Sequence, residues 1–178
     1  SARLSAVQPG PDARSVAAGL LKDHYEAARA RIARRLNDSR KVMGVEIARQ
    51  YSAAADEMLT ALWTYAAEDV HPARMPDEAA VSLLAVGGYG RGVLAPFSDL
   101  DLLILHDEAA GARARRISEF VHYVLWDMGL KVGSAIRTPA QNLSMAESDM
   151  TVRTALLEAR PLAGADNLSQ AFLSRFQR

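Results

Sequence analysis

VGGYGRGVLAPFSDLDLLIL, residues 86–105, divides into a glycine-rich turn and an apolar run that carries two acids. The run from Asp99 to Leu105 predicts a strand. Side chains at i and i+2 of a strand share a face, so Asp99 and Asp101 project together with Cα atoms roughly 6.5–7 Å apart. Leu100 and Leu102 then turn toward the core. Two carboxylates at that separation can hold one hard cation or bridge two. Mg²⁺ takes one or two protein carboxylates and completes its octahedron with water and substrate phosphates. A pair of ions held there stabilises the attacking and leaving oxygens of an in-line phosphoryl displacement. Taken alone, Asp-x-Asp is also what an ordinary solvated strand end presents.

The residues upstream make the pair more specific. Val81 to Val86 is a short apolar run that predicts a buried strand ending in Gly87-Gly88. Glycines directly after a strand let backbone N–H groups approach phosphate oxygens with no Cβ in the way. Arg91, in the same turn, offers a planar guanidinium that suits phosphate. Residues 90–95 also match a GxGxxA dinucleotide fingerprint, but Pro96 and Ser98-Asp99 cut off the helix that would receive a pyrophosphate. No Gly-Lys-Ser/Thr occurs, so a Walker A loop is excluded.

Working outward toward the N-terminus, residues 1–11 read as a flexible lead-in. Asp12 is placed as the N-cap of an amphipathic helix with Val16, Leu20, Tyr25, Ala28, Ile32 and Leu36 on one face, ended by Asn37-Asp38-Ser39. A second helix follows through Ile47, Tyr51, Ala54, Met58, Leu62 and Tyr65, and stops at His71-Pro72. The two predict a helical hairpin over residues 12–75, packed on a domain of residues 76–178. Toward the C-terminus, residues 112–128 return to helical spacing and Gly129 closes that helix. Leu130 to Arg137 predicts a third strand, with Lys131 and Arg137 as phosphate contacts or rim charges. Thr138-Pro139 predicts an N-cap and first helical residue. Further helices are expected around Val152-Leu156-Leu157 and over residues 168–176. Trp63, Tyr65, Tyr123 and Trp126 are expected in the core. The fold class is α+β: a small mixed sheet of three to five strands with the site at one edge, flanked by helices.

Composition narrows the function classes. The 178 residues carry zero formal net charge, with 49% hydrophobic and 24% charged residues. That supports a packed core and gives no basic face for nucleic acid. There are no cysteines, which excludes disulfides, thiolate zinc sites and cysteine nucleophiles and suits a cytoplasmic protein. No apolar run approaches the ~20 residues needed to span a bilayer, and no signal peptide is read at the N-terminus. The small polar residues 1–10 and the helical pattern interrupted at Phe176-Gln177-Arg178 suggest a piece of a longer protein.

Gly-Gly after a strand, a ten-residue connection and Asp-x-Asp within an apolar strand resemble the signature of the DNA polymerase beta-like nucleotidyltransferase superfamily. Within it, AVGGYGRG, PFSDLDLLIL, Leu125–Gly133, Arg137-Thr138 and Asp149–Arg160 resemble the N-terminal domain of the bacterial PII uridylyltransferase/uridylyl-removing enzymes. The resemblance covers roughly residues 60–178. It implies transfer of UMP from UTP to a tyrosine of the PII nitrogen-signalling protein, with release of pyrophosphate. It further implies that Gly87 and Gly88 cradle the triphosphate, that Arg91 and Ser98 assist, and that Asp99 and Asp101 hold Mg²⁺ or Mn²⁺. No nucleic acid or membrane partner is implied.

Two departures accompany the resemblance. The superfamily places a third acid on a following strand, and Lys131 to Arg137 holds none. Glu147, Asp149 and Glu158 are acids further on, but each falls in a helical pattern that predicts a surface or capping role. The group that activates the acceptor is therefore left open. His106-Asp107 is an HD dipeptide without a second histidine cluster and reads as a strand end, so the family's UMP-removing activity is not expected of these residues. Two alternatives stand beside the uridylyl reading: another nucleotidyltransferase, acting on glutamine synthetase or a small molecule, or a catalytically silent nucleotide-binding module.

Overall fold

The computed structural model describes residues 4–38 and 44–177. Helices α1 (Ala13–Asp38) and α2 (Gly44–Thr64) form an N-terminal hairpin, and α2 runs on as a π-helical turn, Tyr65–Val70. His71 ends it by donating its N–H to the Ala66 carbonyl, 2.9 Å, so the stop expected at His71-Pro72 is observed. The buried face of α1 is Ala13, Ala17, Leu21, Tyr25, Ala28 and Ile32. The expected face started one position early: Val16 is exposed, and alanines instead let α1 approach its neighbours closely. The side chain of Leu36, and Ser39, lie outside the described residues, as do residues 1–3 of the expected lead-in. Leu4–Ala6 is a single 3-10 turn with Leu4 buried, so part of that lead-in is anchored.

Four strands follow: β1 (Val81–Ala85), β2 (Leu100–His106), β3 (Val132–Arg137) and β4 (Arg160–Gly164), in the order β3-β2-β1-β4. β1 pairs antiparallel with β2 and β4; β2 pairs parallel with β3, across helix α4 (Gly111–Asp127). The sheet is thus mixed, and the fold is the expected α+β class. Helices α5 (Pro139–Ser148) and α6 (Met150–Leu157) lead into β4, and α7 (Asp166–Phe176) follows it.

β1 and β2 are buried on both faces, which is why their sequences are nearly continuous apolar runs. Leu83, Leu100, Leu102 and Ile104 join the larger core with the hairpin and α4. Leu84, Leu103 and Leu105 face a smaller core with Ala146, Leu156 and Phe172 of α5, α6 and α7. Trp63 and Tyr65 are buried as expected, whereas Tyr123 and Trp126 are 47% and 67% exposed. The buried stripe of α4 is Ile117, Val121, Val124 and Leu125, and those two aromatics project off its flank.

Candidate active site

The Gly-Gly stretch folds as a four-residue helical turn, α3 (Gly87–Gly90), entered from Val86 in extended conformation. Gly87 has φ +55°, the left-handed region that favours glycine. The Val86 N–H donates to the Asp101 carbonyl at 3.0 Å, which brings the end of β1 beside the start of β2. The Asp101 carboxylate consequently lies between two glycines. A Cβ at Gly87 would stand 3.1 Å from Oδ2, and one at Gly133, its register partner on β3, would stand 2.8 Å from Oδ1. Only glycine at 133 leaves that carboxylate undisturbed.

Asp101 is half-buried, and among the described residues its carboxylate has no ion-pair partner. Burial pushes its pKa up, and the neighbouring Asp99 carboxylate pushes it further. Asp99 is exposed and precedes β2, which begins at Leu100 rather than at Asp99. Asp101 with a second acid beside it is a donor set that suits Mg²⁺, whose other ligands come from phosphate and water.

An open cleft of about 720 Å³ lies over Asp101. Gly87, Gly88 and Arg91 line it, together with Thr151 and Thr154 of α6 and Glu158 just past its end. Arg91 is exposed, and its Nη2 lies 3.6 Å from where a Gly88 Cβ would stand, so its guanidinium sits against the glycine turn. Ser98 and Asp99 are exposed on the loop leading into β2 and do not line the cleft; neither do Lys131 and Arg137. The site rests on β2, one strand in from the β3 edge.

Of the downstream acids, Asp149 caps α6 by accepting from the Thr151 and Val152 N–H groups at 2.8 and 3.2 Å. Glu147 is exposed. Glu158 ends α6 and enters the cleft wall. Among the described residues no cluster of three His, Cys, Asp or Glu side chains is close enough to hold a metal ion.

A second polar cluster, unmarked by any sequence motif, stands behind the turn. Arg160, at the start of β4, forks onto Asp56 of α2 at 2.8 and 3.0 Å, and the buried Tyr89 hydroxyl donates to the same carboxylate at 2.5 Å. Burial and that hydrogen bond push the Tyr89 phenol far above its ordinary value, so it stays protonated. In the sequence Asp56 is one charged residue among several along α2. Only a contact between α2 and β4 marks it.

The description "nucleotidyltransferase domain" belongs to the family model that matches residues 75–161. A bifunctional uridylyltransferase/uridylyl-removing enzyme of Phenylobacterium zucineum is 44% identical over 136 residues, 76% of this chain and 14% of the relative. Proteins of the same name from Caulobacter vibrioides and Gluconobacter oxydans are 39% and 40% identical over 99% and 93% of this chain. The chain spans 14–19% of the length of these curated relatives. Residues 75–161, which hold strands β1 to β3, the glycine turn and Asp101 at its cleft, belong to the nucleotidyltransferase domain family, a family of enzymes.

Proposed function

We propose that this domain transfers UMP from UTP to a tyrosine of the PII nitrogen-signalling protein in the cytoplasm. The observation that carries the reading is the Asp101 carboxylate, seated between Gly87 and Gly133 beside Asp99, at the base of a cleft walled by the Gly87-Gly88 turn. Similarity to relatives named uridylyltransferases over nearly the whole chain supports the choice of nucleotide. Among the described residues no helix is long and apolar enough to cross a membrane.

In this reading the N–H groups of the Gly87-Gly88 turn and the Arg91 guanidinium bind the triphosphate, and Ser98 hydrogen-bonds it from the adjoining loop. Asp99 and Asp101 would hold Mg²⁺ or Mn²⁺, which would supply positive charge against the phosphates and lower the pKa of the attacking hydroxyl. The acceptor tyrosine oxygen forms a bond to the α-phosphorus as the bond to the bridging α–β oxygen breaks. Pyrophosphate leaves with that electron pair, and the phenolic proton passes to solvent or a base. The turn holds the departing phosphates in line with the attacking oxygen, which is where positioning contributes to rate.

Label from UTP, ATP, CTP and GTP, each offered with PII and Mg²⁺, tests the assignment. Incorporation from UTP alone is expected. Transfer from ATP but not UTP points to a different nucleotidyltransferase, and nucleotide binding without transfer points to a silent module.

A further inference from the structure

We propose that Asp56, on the N-terminal helical hairpin, is a positioning residue for nucleotide binding: through Tyr89 and Arg160 it fixes the Gly87-Gly88 turn over the cleft. The inference rests on the nucleotidyl-transfer reading, but Asp56 lies outside the cleft and outside residues 75–161, the part that matches the family model.

The connections are specific. Asp56 accepts two hydrogen bonds from the Arg160 guanidinium and one from the Tyr89 hydroxyl. Arg160 Nε also donates to the Gly90 carbonyl at 3.3 Å, and its guanidinium lies 5.7 Å from the centre of the Tyr89 ring. Tyr89 and Gly90 are the second half of the same four-residue turn whose first half is Gly87-Gly88. One carboxylate therefore sets two of that turn's four residues, through charge-assisted bonds that are shorter and more directional than neutral ones. Gly90 is pinned from the other side as well. Any side chain there would run into the Glu158 carbonyl at the end of α6. The turn is thus held between the hairpin and the α6–β4 junction.

Two further ties run from the hairpin to the loop that joins the turn to β2. The Leu94 N–H donates to the Ala48 carbonyl of α2 at 3.0 Å. Arg29 of α1 donates to the Pro96 carbonyl at 2.6 Å, with its guanidinium 5.9 Å from the centre of the Phe97 ring. Phe97 is 91% exposed, so this loop has little core packing of its own at its tip. The hairpin supplies the contacts that hold both halves of the site connection. Asp56 is the one among them joined directly to the phosphate-binding turn.

A residue that shapes the phosphate turn controls nucleotide affinity, whereas one that only supports folding lowers the amount of active protein. The test uses the full-length protein and compares wild type with Asp56→Asn, Arg160→Lys and Tyr89→Phe. Tyr89→Phe removes a single hydroxyl and leaves the ring packed, so it remains informative where the charge variants fold poorly. Two quantities are measured with Mg²⁺ present: calorimetric affinity for UTP, and transfer kinetics normalised to folded protein. Asp56→Asn is expected to raise the UTP Kd and the KM for UTP about tenfold, the size of one lost charge-assisted hydrogen bond, with the KM for the acceptor protein unchanged. Tyr89→Phe is expected to move the same two constants in the same direction by less.

Unchanged Kd and KM for UTP in Asp56→Asn, with any loss confined to kcat or to the yield of folded protein, overturn the proposal and leave the nucleotidyl-transfer reading standing. A wild type that binds UTP but transfers nothing removes the transfer reading, and the affinity measurement still decides the role of Asp56. A wild type that neither binds nor transfers UTP overturns both.

Discussion

Asp101 is a carboxylate placed where folding alone would not put it. It is half-buried, faces another acid, and has raised pKa from both causes. A raised carboxylate pKa means that the folded state binds a proton more readily than the unfolded chain. Stability then falls as pH rises from the ordinary value of 3.8 through the raised one, and the penalty persists at neutral pH. Asp101→Asn is therefore expected to unfold at a higher temperature than wild type at pH 7 in the presence of a chelator, and to lose that advantage below pH 3.8. Thermal scans at the two pH values check it; a variant less stable than wild type at pH 7 contradicts the assigned cause. Gly87, Gly88, Arg91 and Asp101 line one cleft and stand out as candidates in the sequence because they fall within one contiguous segment, which also holds Ser98 and Asp99, outside the cleft lining. Gly133 does not stand out, since its importance comes from its register with Asp101 across a parallel pair. Asp56 was hidden for a similar reason: its partners are 33 and 104 positions away.

At the scale of elements, local chemistry was legible where it is self-contained. Thr138 caps α5 as read: its Oγ1 accepts from the Gln141 N–H at 3.2 Å, and the Gln141 side chain accepts from the Thr138 N–H at 2.9 Å. Thr138→Ala removes half of this box and is expected to cost about 1 kcal/mol, measured by denaturant unfolding. A change within error would mean that packing, not the cap, sets where α5 begins. The strand β4 was not anticipated. Arg160-Pro161-Leu162-Ala163-Gly164 has no alternation and contains proline, which normally argues against a strand. It is admitted because β4 is an edge strand, and its pairing with β1 shifts between Leu83 and Leu84, opposite Pro161. Only the first turns of the expected α1 face differ: Val16 and Leu20 outrank alanine as apolar residues, while close helix approach selects Ala17 and Ala18, and Tyr25, Ala28 and Ile32 are buried as expected.

At the scale of the whole molecule, the hairpin and the sheet are joined by polar staples as well as a shared core. Arg113 of α4 is buried and donates to the carbonyls of Ala67, His71 and Glu78 at 2.8, 2.8 and 3.0 Å. It links the end of the hairpin, the turn before β1 and α4. Arg113→Met keeps the stem but orphans those carbonyls, and an unfolding free-energy loss of roughly 3 kcal/mol is expected, since each buried unsatisfied group costs ~1–3 kcal/mol. A loss under ~1 kcal/mol would show that water replaces the guanidinium without penalty. The same architecture gives the cleft its walls from distant parts of the chain, with Asp101 at its base and Asp99 on the adjoining loop. The most direct test of that assignment is the rate of UMP transfer from UTP to PII by Asp99→Asn and Asp101→Asn, with Mg²⁺ and nucleotide saturating and folded protein quantified. Loss of transfer in both variants, with thermal stability retained, is the predicted result; transfer at the wild-type rate by either would contradict it.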